Sequence, residues 1–322
     1  MTTVDDTLEV DDYDEFGLLH ENAEEWDQPF EGRPEISRGY LEIEPGQRLS
    51  YIKWGSDDPE LVFLHGGGQN AHTWDYVALF LGRPAIAFDL PGHGRSYRRD
   101  DRNYGPWNNV EALEIAMPQL APDAMAVVGM SLGGATATHF AAKRPDLCRR
   151  AVIVDVTPSV NNPDRSMSTM ERGTVGLIGA QPTYDTFEEM ADAAIALSPY
   201  RGASGVRRGV RHNSYRTDDG KWTWRYDLMG GRADRVDPDA PPVSARNWAD
   251  FTPMWDEVST ITVPTMLVRG GESKFVLDED VAEFQRRLPS VRYEVVPGAG
   301  HAVQSDQPLV LVALIEDFAF GS

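Results

Sequence analysis

Short runs rich in apolar and β-branched residues alternate with longer helical segments along most of the chain, and this rhythm most constrains its fold. From Gly39 onward the runs are GYLEIE, LSYIKWG, ELVFLHG, PAIAFDL, AMAVVGM, RAVIVDV, PTMLVRG and VRYEVVP. Strands that recur between helices imply βαβ crossovers and a mostly parallel sheet. The first two runs are close enough to form an antiparallel hairpin at one edge. The pattern therefore predicts an α/β fold with a mostly parallel, doubly wound sheet.

The rhythm stops between Thr157 and about Thr260. This part contains several helical segments, such as Thr186 to Leu197, and no convincing pair of strands. We therefore expect an inserted helical cap, with a turn-rich connector at Pro238 to Ser244. The expected domains are an acidic leader at residues 1–38, a core formed by residues 39–158 and 261–322, and the cap at residues 159–260.

Charge is distributed unevenly along the chain. The formal net charge is −21, and Met1 to Glu31 contains twelve Asp or Glu residues but no Lys or Arg. We expect no nucleic acid or membrane partner, because phosphate groups are bound through Lys and Arg. In the cap, Arg201 to Arg225 contains seven basic residues and two acidic ones. This basic segment either attracts an anionic substrate or docks the leader, and we favour docking because it relieves repulsion within the leader.

The sequence also predicts a cytoplasmic location. The first residues, MTTVDDTLEV, lack the basic and apolar regions of a signal peptide, and no apolar run approaches the roughly 18 residues of a membrane span. Cys148 is the single cysteine, so it forms no internal disulfide, which fits a reducing compartment. We expect it to be a small residue near a helix end and not a nucleophile. The sequence does not indicate an oligomeric state.

Ser131 is the strongest candidate for a nucleophile. The motif Gly129-Met130-Ser131-Leu132-Gly133 follows the predicted strand AMAVVG and opens the predicted helix LGGATATHFAAK. A G-x-S-x-G motif between a strand and a helix is typical of a nucleophile elbow, where the serine backbone is strained and neighbouring strands leave room only for small residues. The alternative is a glycine-rich turn that only packs the helix on the sheet.

A serine hydroxyl needs a base within hydrogen-bond reach, and His301 has the best position for this role. It lies in VPGAGHAVQ, directly after the last predicted strand and before the helix PLVLVALIEDF. Its imidazole is therefore expected above the carboxyl edge of the sheet. The remaining histidines have poorer positions: His20, His65, His72, His93, His139 and His212.

The run HGGGQNAHTW, after the strand ELVFL, offers backbone N–H groups for an oxyanion hole. Gly67, and as a second option Gly68, carries no side chain that blocks an oxyanion. With the N–H of Leu132 it forms a hole of two donors. For His65 in the same run we expect a packing role.

These motifs resemble the α/β-hydrolase family. HGGG, DLPGHGRS, GMSLGG and GAGH occur in the order and spacing of that family, and the resemblance covers Gly39 to the C-terminus. The runs VIVDVTPS, RRGVRHNSYR, KWTWRYD, LVRGGESKFV and GHAVQSDQP are similar to actinobacterial, mycobacterial-type serine esterases with a helical cap. The resemblance implies the α/β-hydrolase fold and hydrolysis of esters or similar acyl compounds with no cofactor and no metal.

The sequence offers three candidates for the acid of the expected triad. Many family members carry an Asp in the loop after the strand that matches PTMLVRG, but this chain has Lys274 there. Three replacements are open: Asp155, Glu272 and the cluster at residues 278–280. We favour Asp155, since its strand follows the nucleophile's helix and some branches of the family, including haloalkane dehalogenases, use an acid after this strand. The cluster is more simply explained as the cap of the next helix.

The sequence thus predicts a serine hydrolase of carboxylic esters that works through an acyl-enzyme, with Ser131, His301 and Asp155 as its triad. Because this fold hosts many reactions, a thioesterase, a lactonase and a carbon–carbon bond hydrolase are alternatives on the same triad. A non-catalytic ligand receptor is the alternative from another class, since the family's usual acid is missing at Lys274. The physiological substrate is not indicated by the sequence.

Overall fold

The computed structural model describes residues 13–160, 168, 182–227 and 250–321. The strands are β1 (Ile36–Glu44), β2 (Gln47–Trp54), β3 (Leu61–Leu64), β4 (Ala85–Phe88), β5 (Ala126–Met130), β6 (Ala151–Val154), β7 (Ser214–Arg216), β8 (Trp222–Trp224), β9 (Thr265–Gly270) and β10 (Arg292–Val296). The helices are α1 (Leu19–Glu25), α2 (Asp75–Leu81), α3 (Pro106–Leu120), α4 (Leu132–Lys143), α5 (Phe187–Ala196), α6 (Ala203–His212), α7 (Met254–Val258), α8 (Asp278–Arg287), α9 (Val303–Asp306) and α10 (Pro308–Phe320), with a 3₁₀ helix at Ala71–Trp74.

Eight strands form one sheet in the order β1-β2-β4-β3-β5-β6-β9-β10. β1 pairs with β2 and β2 pairs with β4 in antiparallel fashion. All other neighbours in this sheet are parallel. Each of the eight runs read from the sequence contributes one of these strands. The predicted α/β-hydrolase fold, with its mostly parallel sheet and its antiparallel edge hairpin, is confirmed.

Helices cover both faces of this sheet. One core cluster packs the sheet against α3, α4, α7 and α8, and a second packs it against α2, α9 and α10. Strands β3 to β6 are buried at every position. Burial on both faces explains why these strands are continuous apolar runs without alternation. None of the described helices is long and apolar enough to cross a membrane.

The segment between β6 and β9 contains α5 and α6, so the inserted helical region is confirmed. Thr186 begins α5 as predicted, because its hydroxyl accepts the N–H of Glu189 at 3.1 Å. The expectation of no strand pair is wrong, since β7 and β8 pair in antiparallel fashion. Each strand has three residues, too few for an alternating pattern to be recognised. The predicted connector at residues 238–244 lies outside the described residues.

The described part of the leader packs between core and cap. Phe16 and Leu19 are buried in the second core cluster. From the cap, Arg208 of α6 donates to Asn22 Oδ1 at 2.8 Å and to Glu21 Oε2 at 3.1 Å, and it also pairs with Glu25. Docking of the acidic leader on the basic segment of the cap is therefore confirmed for Arg208.

Cys148 is buried and its thiol donates to the carbonyl of Arg150 at 3.4 Å. Burial raises the pKa of the Cys148 thiol to about 12. Since the thiolate is the nucleophilic form, this side chain is inert near neutral pH. The expectation that it is a small packing residue is confirmed.

Candidate active site

Three predicted side chains lie at the carboxyl ends of neighbouring strands. Ser131 follows β5, Asp155 follows β6, and His301 lies in the loop after β10. β6 pairs with β5 on one side and β9 on the other, and β10 pairs with β9, all in parallel. Parallel strands bring their carboxyl ends to one edge of a sheet. The structure thus brings the predicted nucleophile, acid and base to the same edge.

Ser131 occupies a strained turn between β5 and α4. Its backbone has φ 50° and ψ −118°, a conformation that side chains with a Cβ rarely adopt. Its N–H donates to Val154 O at 3.0 Å, which ties the turn to β6. A Cβ on Gly129 would lie 2.1 Å from Gly133 O, and one on Gly133 would lie 2.1 Å from Leu64 O. Both glycines are therefore required by close packing, and the predicted strain at the serine is confirmed.

His301 and Asp155 form a hydrogen-bonded pair. His301 Nδ1 lies 2.7 Å from Asp155 Oδ2. The Asp155 side chain is completely buried, and its backbone also has a positive φ, 52°. Because a carboxylate only accepts, the Nδ1 atom carries the proton in this bond. The neutral imidazole therefore has its lone pair on Nε2.

Two further groups hold the Asp155 carboxylate. The N–H of Gly270 donates to Oδ1 at 3.0 Å, and the hydroxyl of Ser273 donates to Oδ2 at 2.5 Å. Both belong to β9 or the loop after it, where the acid of the family usually lies. The loop thus supplies donors to an acid that comes from the neighbouring strand. Sequence reasoning missed Ser273, and its only signal is a small polar residue beside Lys274.

The other candidates for the acid lie elsewhere. The side chains of Glu272 and Lys274 are exposed, and none of the described contacts joins Glu272 to His301. Asp278 pairs with Arg269 at 2.5 Å. Asp280 Oδ2 accepts the N–H of Leu277 at 2.8 Å, at the start of α8. The cluster at residues 278–280 therefore has the helix-capping position expected from the sequence.

The second ring nitrogen of His301 is available. His301 Nε2 is buried and has no hydrogen-bond partner among the described residues. The ring of Phe275 stacks on the imidazole, with centroids 3.7 Å apart and planes inclined by 14°. One ring nitrogen is thus held by a buried acid, the ring plane is fixed by an aromatic neighbour, and the other nitrogen is free to exchange a proton.

The loop after β3 packs directly against the nucleophile turn. A Cβ on Gly66 would lie 2.4 Å from Met130 Sδ and 3.2 Å from Ser131 Cβ. Gly67 follows in this loop and is half-buried. On the other side, Leu132 is the first residue of α4, so its N–H has no acceptor within the helix. The two predicted donors thus lie in the segments that border Ser131.

His65 orients one of these donors. Its Nδ1–H donates to Gly66 O at 2.7 Å, and its Nε2 accepts the N–H of Leu90 at 2.9 Å. Burial, together with the charge of His93, lowers the pKa of His65 to about 3, so the ring stays neutral. In a trans peptide the C=O and the next N–H point in opposite directions. The bond to Gly66 O therefore fixes the direction of the Gly67 N–H, a role beyond the packing expected from the sequence.

A cleft with a volume of about 110 Å³ lies between this loop, α1 and the cap helix α6. Its lining includes Gly67 and Gly68, and also Ser305 of α9, the short helix that follows His301. Among the described residues, Ser131 and His301 lie outside this lining. The cap is bound to the loop, because Asn213 Nδ2 donates to Gly68 O at 2.6 Å. The lining of the cleft therefore includes part of the candidate oxyanion hole but not Ser131.

A second group of buried titratable side chains forms part of the cleft wall. His72 Nδ1 lies 2.8 Å from Asp75 Oδ2, and His72 Nε2 lies 3.0 Å from Glu15 Oε1. The ring of His212 stacks on His72 with centroids 3.9 Å apart, and its Nδ1 is hydrogen-bonded to the Tyr13 hydroxyl. Sequence reasoning missed this cluster, since Tyr13 and His212 are 199 positions apart and share no motif.

The two histidines of this cluster differ in charge. Burial alone would lower the pKa of His72, but the Asp75 charge and hydrogen bonds to Asp75 and Glu15 raise it to about 9. Burial and the positive charge of His72 hold the pKa of His212 well below its usual value. His72 is therefore an imidazolium near neutral pH, and His212 is a neutral imidazole.

Ligand atoms of His72, Asp75 and His212 lie within 4.8 Å of one another, which is the composition of a metal site. The two rings are nearly parallel, with planes inclined by 11°, so their in-plane lone pairs do not converge on one point. An imidazolium, moreover, has no lone pair to offer. The cluster fits an ion-pair network better than a metal centre.

Comparison with known proteins gives a consistent result. The pattern of the Alpha/beta hydrolase family matches residues 61–314. The chain is 44% identical to esterase Rv0045c of Mycobacterium tuberculosis over 310 residues, which cover 95% of this chain and 96% of the relative. A solved structure of that M. tuberculosis esterase has a TM-score of 0.79 and covers 95% of this chain and 98% of its own. The sn-1-specific diacylglycerol lipase ABHD11 of Mus musculus is 26% identical, over 81% of this chain and 80% of the relative.

Proposed function

The chain belongs to the alpha/beta hydrolase family and is a carboxylic ester hydrolase, and we propose that Ser131, His301 and Asp155 carry out its reaction. The observation that carries this proposal is the His301 imidazole, whose Nδ1 is held by a buried carboxylate at 2.7 Å while its Nε2 has no partner. A strained serine follows the neighbouring strand β5. These are the parts that a serine nucleophile requires.

In the first step, the Ser131 hydroxyl attacks the ester carbonyl carbon while His301 Nε2 accepts the hydroxyl proton. The imidazole then carries a positive charge, which the Asp155 carboxylate stabilises. No hydrogen bond joins His301 Nε2 to Ser131, and such bonds commonly tighten when substrate binds. Hydrogen bonds from the Gly270 N–H and the Ser273 hydroxyl hold the Asp155 carboxylate in place.

The attack turns the carbonyl oxygen into an oxyanion, which the N–H groups of Gly67 and Leu132 stabilise. Neither donor moves during the reaction, because His65 fixes the Gly66–Gly67 peptide and Leu132 begins a helix. Donors arranged in advance for the charge of the transition state are the largest contribution in many enzymes, and loss of one costs about 10²- to 10³-fold in kcat.

In the second half of the reaction, the leaving alcohol receives the proton from His301 and departs. Water then attacks the acyl group on Ser131, with His301 Nε2 again accepting a proton. The tetrahedral intermediate collapses, releases the carboxylic acid and returns the proton to the serine. Small esters are the partners that this site implies, and it uses only side chains and backbone N–H groups of this chain.

Labelling with a fluorophosphonate probe tests the assignment. An activated serine becomes covalently modified, so we expect mass spectrometry to locate the probe on the peptide that contains Ser131. Ser131→Ala should abolish both the labelling and ester hydrolysis, with a loss approaching about 10⁶-fold in kcat. An unchanged melting temperature would show that the fold is intact. Labelling at another residue, or activity within about tenfold of wild type, would remove Ser131 as the nucleophile.

The name of the 44% identical relative favours oxygen esters over thioesters, lactones and carbon–carbon bonds. A panel of esters and matched thioesters, assayed with wild type and Ser131→Ala, ranks these alternatives by kcat/KM. A non-catalytic receptor would bind such compounds without covalent labelling, which the same probe detects.

We also keep two sequence-based proposals. The first is the division into a leader at 1–38, a core at 39–158 and 261–322, and a cap at 159–260, which the position of α5, α6 and the β7–β8 hairpin between β6 and β9 supports. The second is a cytoplasmic location, for which a single buried cysteine without a disulfide partner is the support.

A further inference from the structure

The arginine side chains that line the cleft differ in their hydrogen-bond and ion-pair partners. Two guanidinium groups, those of Arg201 and Arg208, belong to the lining. Arg208 donates to Asn22 and Glu21, and it also pairs with Glu25 and the Tyr76 hydroxyl. Its charge is therefore fully used in docking the leader, and it offers nothing to a ligand.

Arg201 has no such partners. Within the described residues, its only hydrogen bond is from Nη2 to Gly205 O, at 3.3 Å, and no carboxylate lies within ion-pair distance. The guanidinium packs against α6 at Gly209, since a Cβ on this glycine would lie 3.6 Å from Arg201 Nη2. Among the described residues, a half-buried cation without an ion-pair partner is notable in a chain with a net charge of −21, because carboxylates are abundant.

Arg201 also lies near the catalytic loop. The ring of its neighbour Tyr200 covers Gly300, because a Cβ on that glycine would be 2.6 Å from Tyr200 Cδ2. Gly300 directly precedes His301. In the same loop region, burial raises the pKa of Asp306 to about 6, and the positive charge of Arg201 opposes this rise. The cation is thus close enough to act on groups beside His301.

The substrate path connects these observations. The Gly67 N–H, proposed as an oxyanion donor, is on a residue that lines the cleft, and Arg201 lines the same cleft from the cap. An ester whose carbonyl oxygen reaches Gly67 can therefore place one of its two parts in the cleft that Arg201 lines. A planar guanidinium with several free N–H groups is matched by a carboxylate, which accepts two parallel hydrogen bonds.

We propose that the cleft selects esters that carry a free carboxylate, and that Arg201 binds this carboxylate. This proposal rests on the esterase mechanism above. It specifies the substrate class as anionic esters, such as half-esters of dicarboxylic acids or acetylated hydroxy acids. The two classes place the carboxylate in the acyl part or in the alcohol part of the ester, and the assay distinguishes them.

The test compares matched charged and neutral substrates. Monomethyl glutarate against dimethyl glutarate probes the acyl part, and acetoxyacetate against its methyl ester probes the alcohol part. We expect wild type to prefer the charged member of at least one pair by about tenfold or more in kcat/KM, the size of one charge-assisted contact. Arg201→Gln should remove this preference through KM and leave the neutral member within about twofold. Arg201→Lys should retain part of it.

Arg207→Gln is the matched control, because it removes the same charge from α6, the helix that begins two residues after Arg201. Arg207 is exposed and paired with Glu188, so this variant should behave as wild type with both substrates. Three outcomes would overturn the proposal. The first is an equal loss of kcat/KM in the Arg201 and Arg207 variants, and the second is an equal loss on charged and neutral esters in Arg201→Gln. The third is a wild type that does not prefer the charged ester of either pair. Hydrolysis of the neutral esters and probe labelling of Ser131 report separately on the esterase mechanism.

Discussion

Two buried histidines of this protein each contact an aspartate through Nδ1 at nearly the same distance. The surroundings of their Nε2 atoms differ. His301 Nδ1 lies 2.7 Å from Asp155, and His72 Nδ1 lies 2.8 Å from Asp75. The other nitrogen of His72 lies 3.0 Å from Glu15, whereas that of His301 has no partner among the described residues. The distance from histidine to acid therefore does not separate the pair proposed as catalytic from the second pair.

The two pairs differ in the hydrogen bonding of the histidine Nε2 atom. With two carboxylates as acceptors, His72 needs protons on both nitrogens and is a permanent cation near neutral pH. It holds the leader to the core but has no lone pair with which to accept a proton. His301 keeps a lone pair on Nε2 and lies at the same sheet edge as the strained Ser131. A search for buried His–Asp pairs alone would have returned both.

The largest expected effect comes from removing each histidine in turn. His301→Ala should lower kcat by about 10⁶-fold, the loss seen when a serine hydrolase loses its base, and should leave the melting temperature nearly unchanged. His72→Ala should do the opposite, with lower stability and a kcat within about tenfold of wild type. Ester hydrolysis and thermal denaturation of both variants are the measurements. A catalytic collapse in His72→Ala with a normal melting temperature would break the comparison.

The second effect concerns the acids. Asp155→Asn should keep the fold and lower kcat by about 10³- to 10⁴-fold, because the amide no longer stabilises the imidazolium or its tautomer. Glu272→Gln, the exposed neighbour in the adjacent loop, is the control and should stay near wild type. A large loss in Glu272→Gln beside a small one in Asp155→Asn would return the acid to the loop after β9.

A rescue experiment sharpens this result. Lys274 has the family's usual acid position, so Lys274→Asp in the Asp155→Asn background would place a carboxylate there. Partial recovery of kcat is expected only if the loop brings the new carboxylate to His301 Nδ1, since displacements of about 1 Å are costly. The pH-independent kcat of the double variant against Asp155→Asn alone is the measurement.

Much of the candidate site could be predicted from the sequence, because its residues lie in the segments that follow strands. Ser131 and His301 were fixed by short motifs, and Asp155 by the position of its strand. Ser273, which supports Asp155 from a neighbouring loop, and His65, which orients a peptide, act through contacts that no motif encodes. The second contact of His72 could not be predicted, since Glu15 and His72 meet only when the leader folds back over the core.

The third prediction tests this leader contact. Glu15 pairs with Arg38 and His72 and is largely buried, so Glu15→Gln should lower the free energy of unfolding by about 3 kcal/mol, as for other broken buried pairs. Asp14→Asn is the control one residue away. Asp14 pairs with Arg33 at the surface, where such pairs contribute less than about 1 kcal/mol. Urea unfolding gives the free energy of unfolding of both variants. If the two variants are equally stable, Glu15 contributes no more than a surface charge.

The smallest effect is the pH dependence of stability. The pKa of His72 is raised in the folded state to about 9, above about 6.5 in an unfolded chain. The folded protein therefore binds more protons between these values. The stabilisation from His72 is fully present below about pH 6.5 and is lost as the pH rises through about 9, by at most about 1.4 kcal/mol per pH unit.

His212 has the opposite sign, because its folded pKa is held well below its usual value. Below about pH 6.5 the unfolded chain binds a proton there that the folded protein does not, so stability falls as the pH falls. Glu15, whose pKa is also lowered, adds to this loss at more acidic pH. Urea unfolding between pH 5 and 9 should thus show a flatter alkaline side in His72→Gln and a flatter acid side in His212→Gln than in wild type. Unchanged slopes in His72→Gln would mean that its ring is not the cation that joins the leader to the core, and the distinction between the two histidine pairs would lose its electrostatic basis.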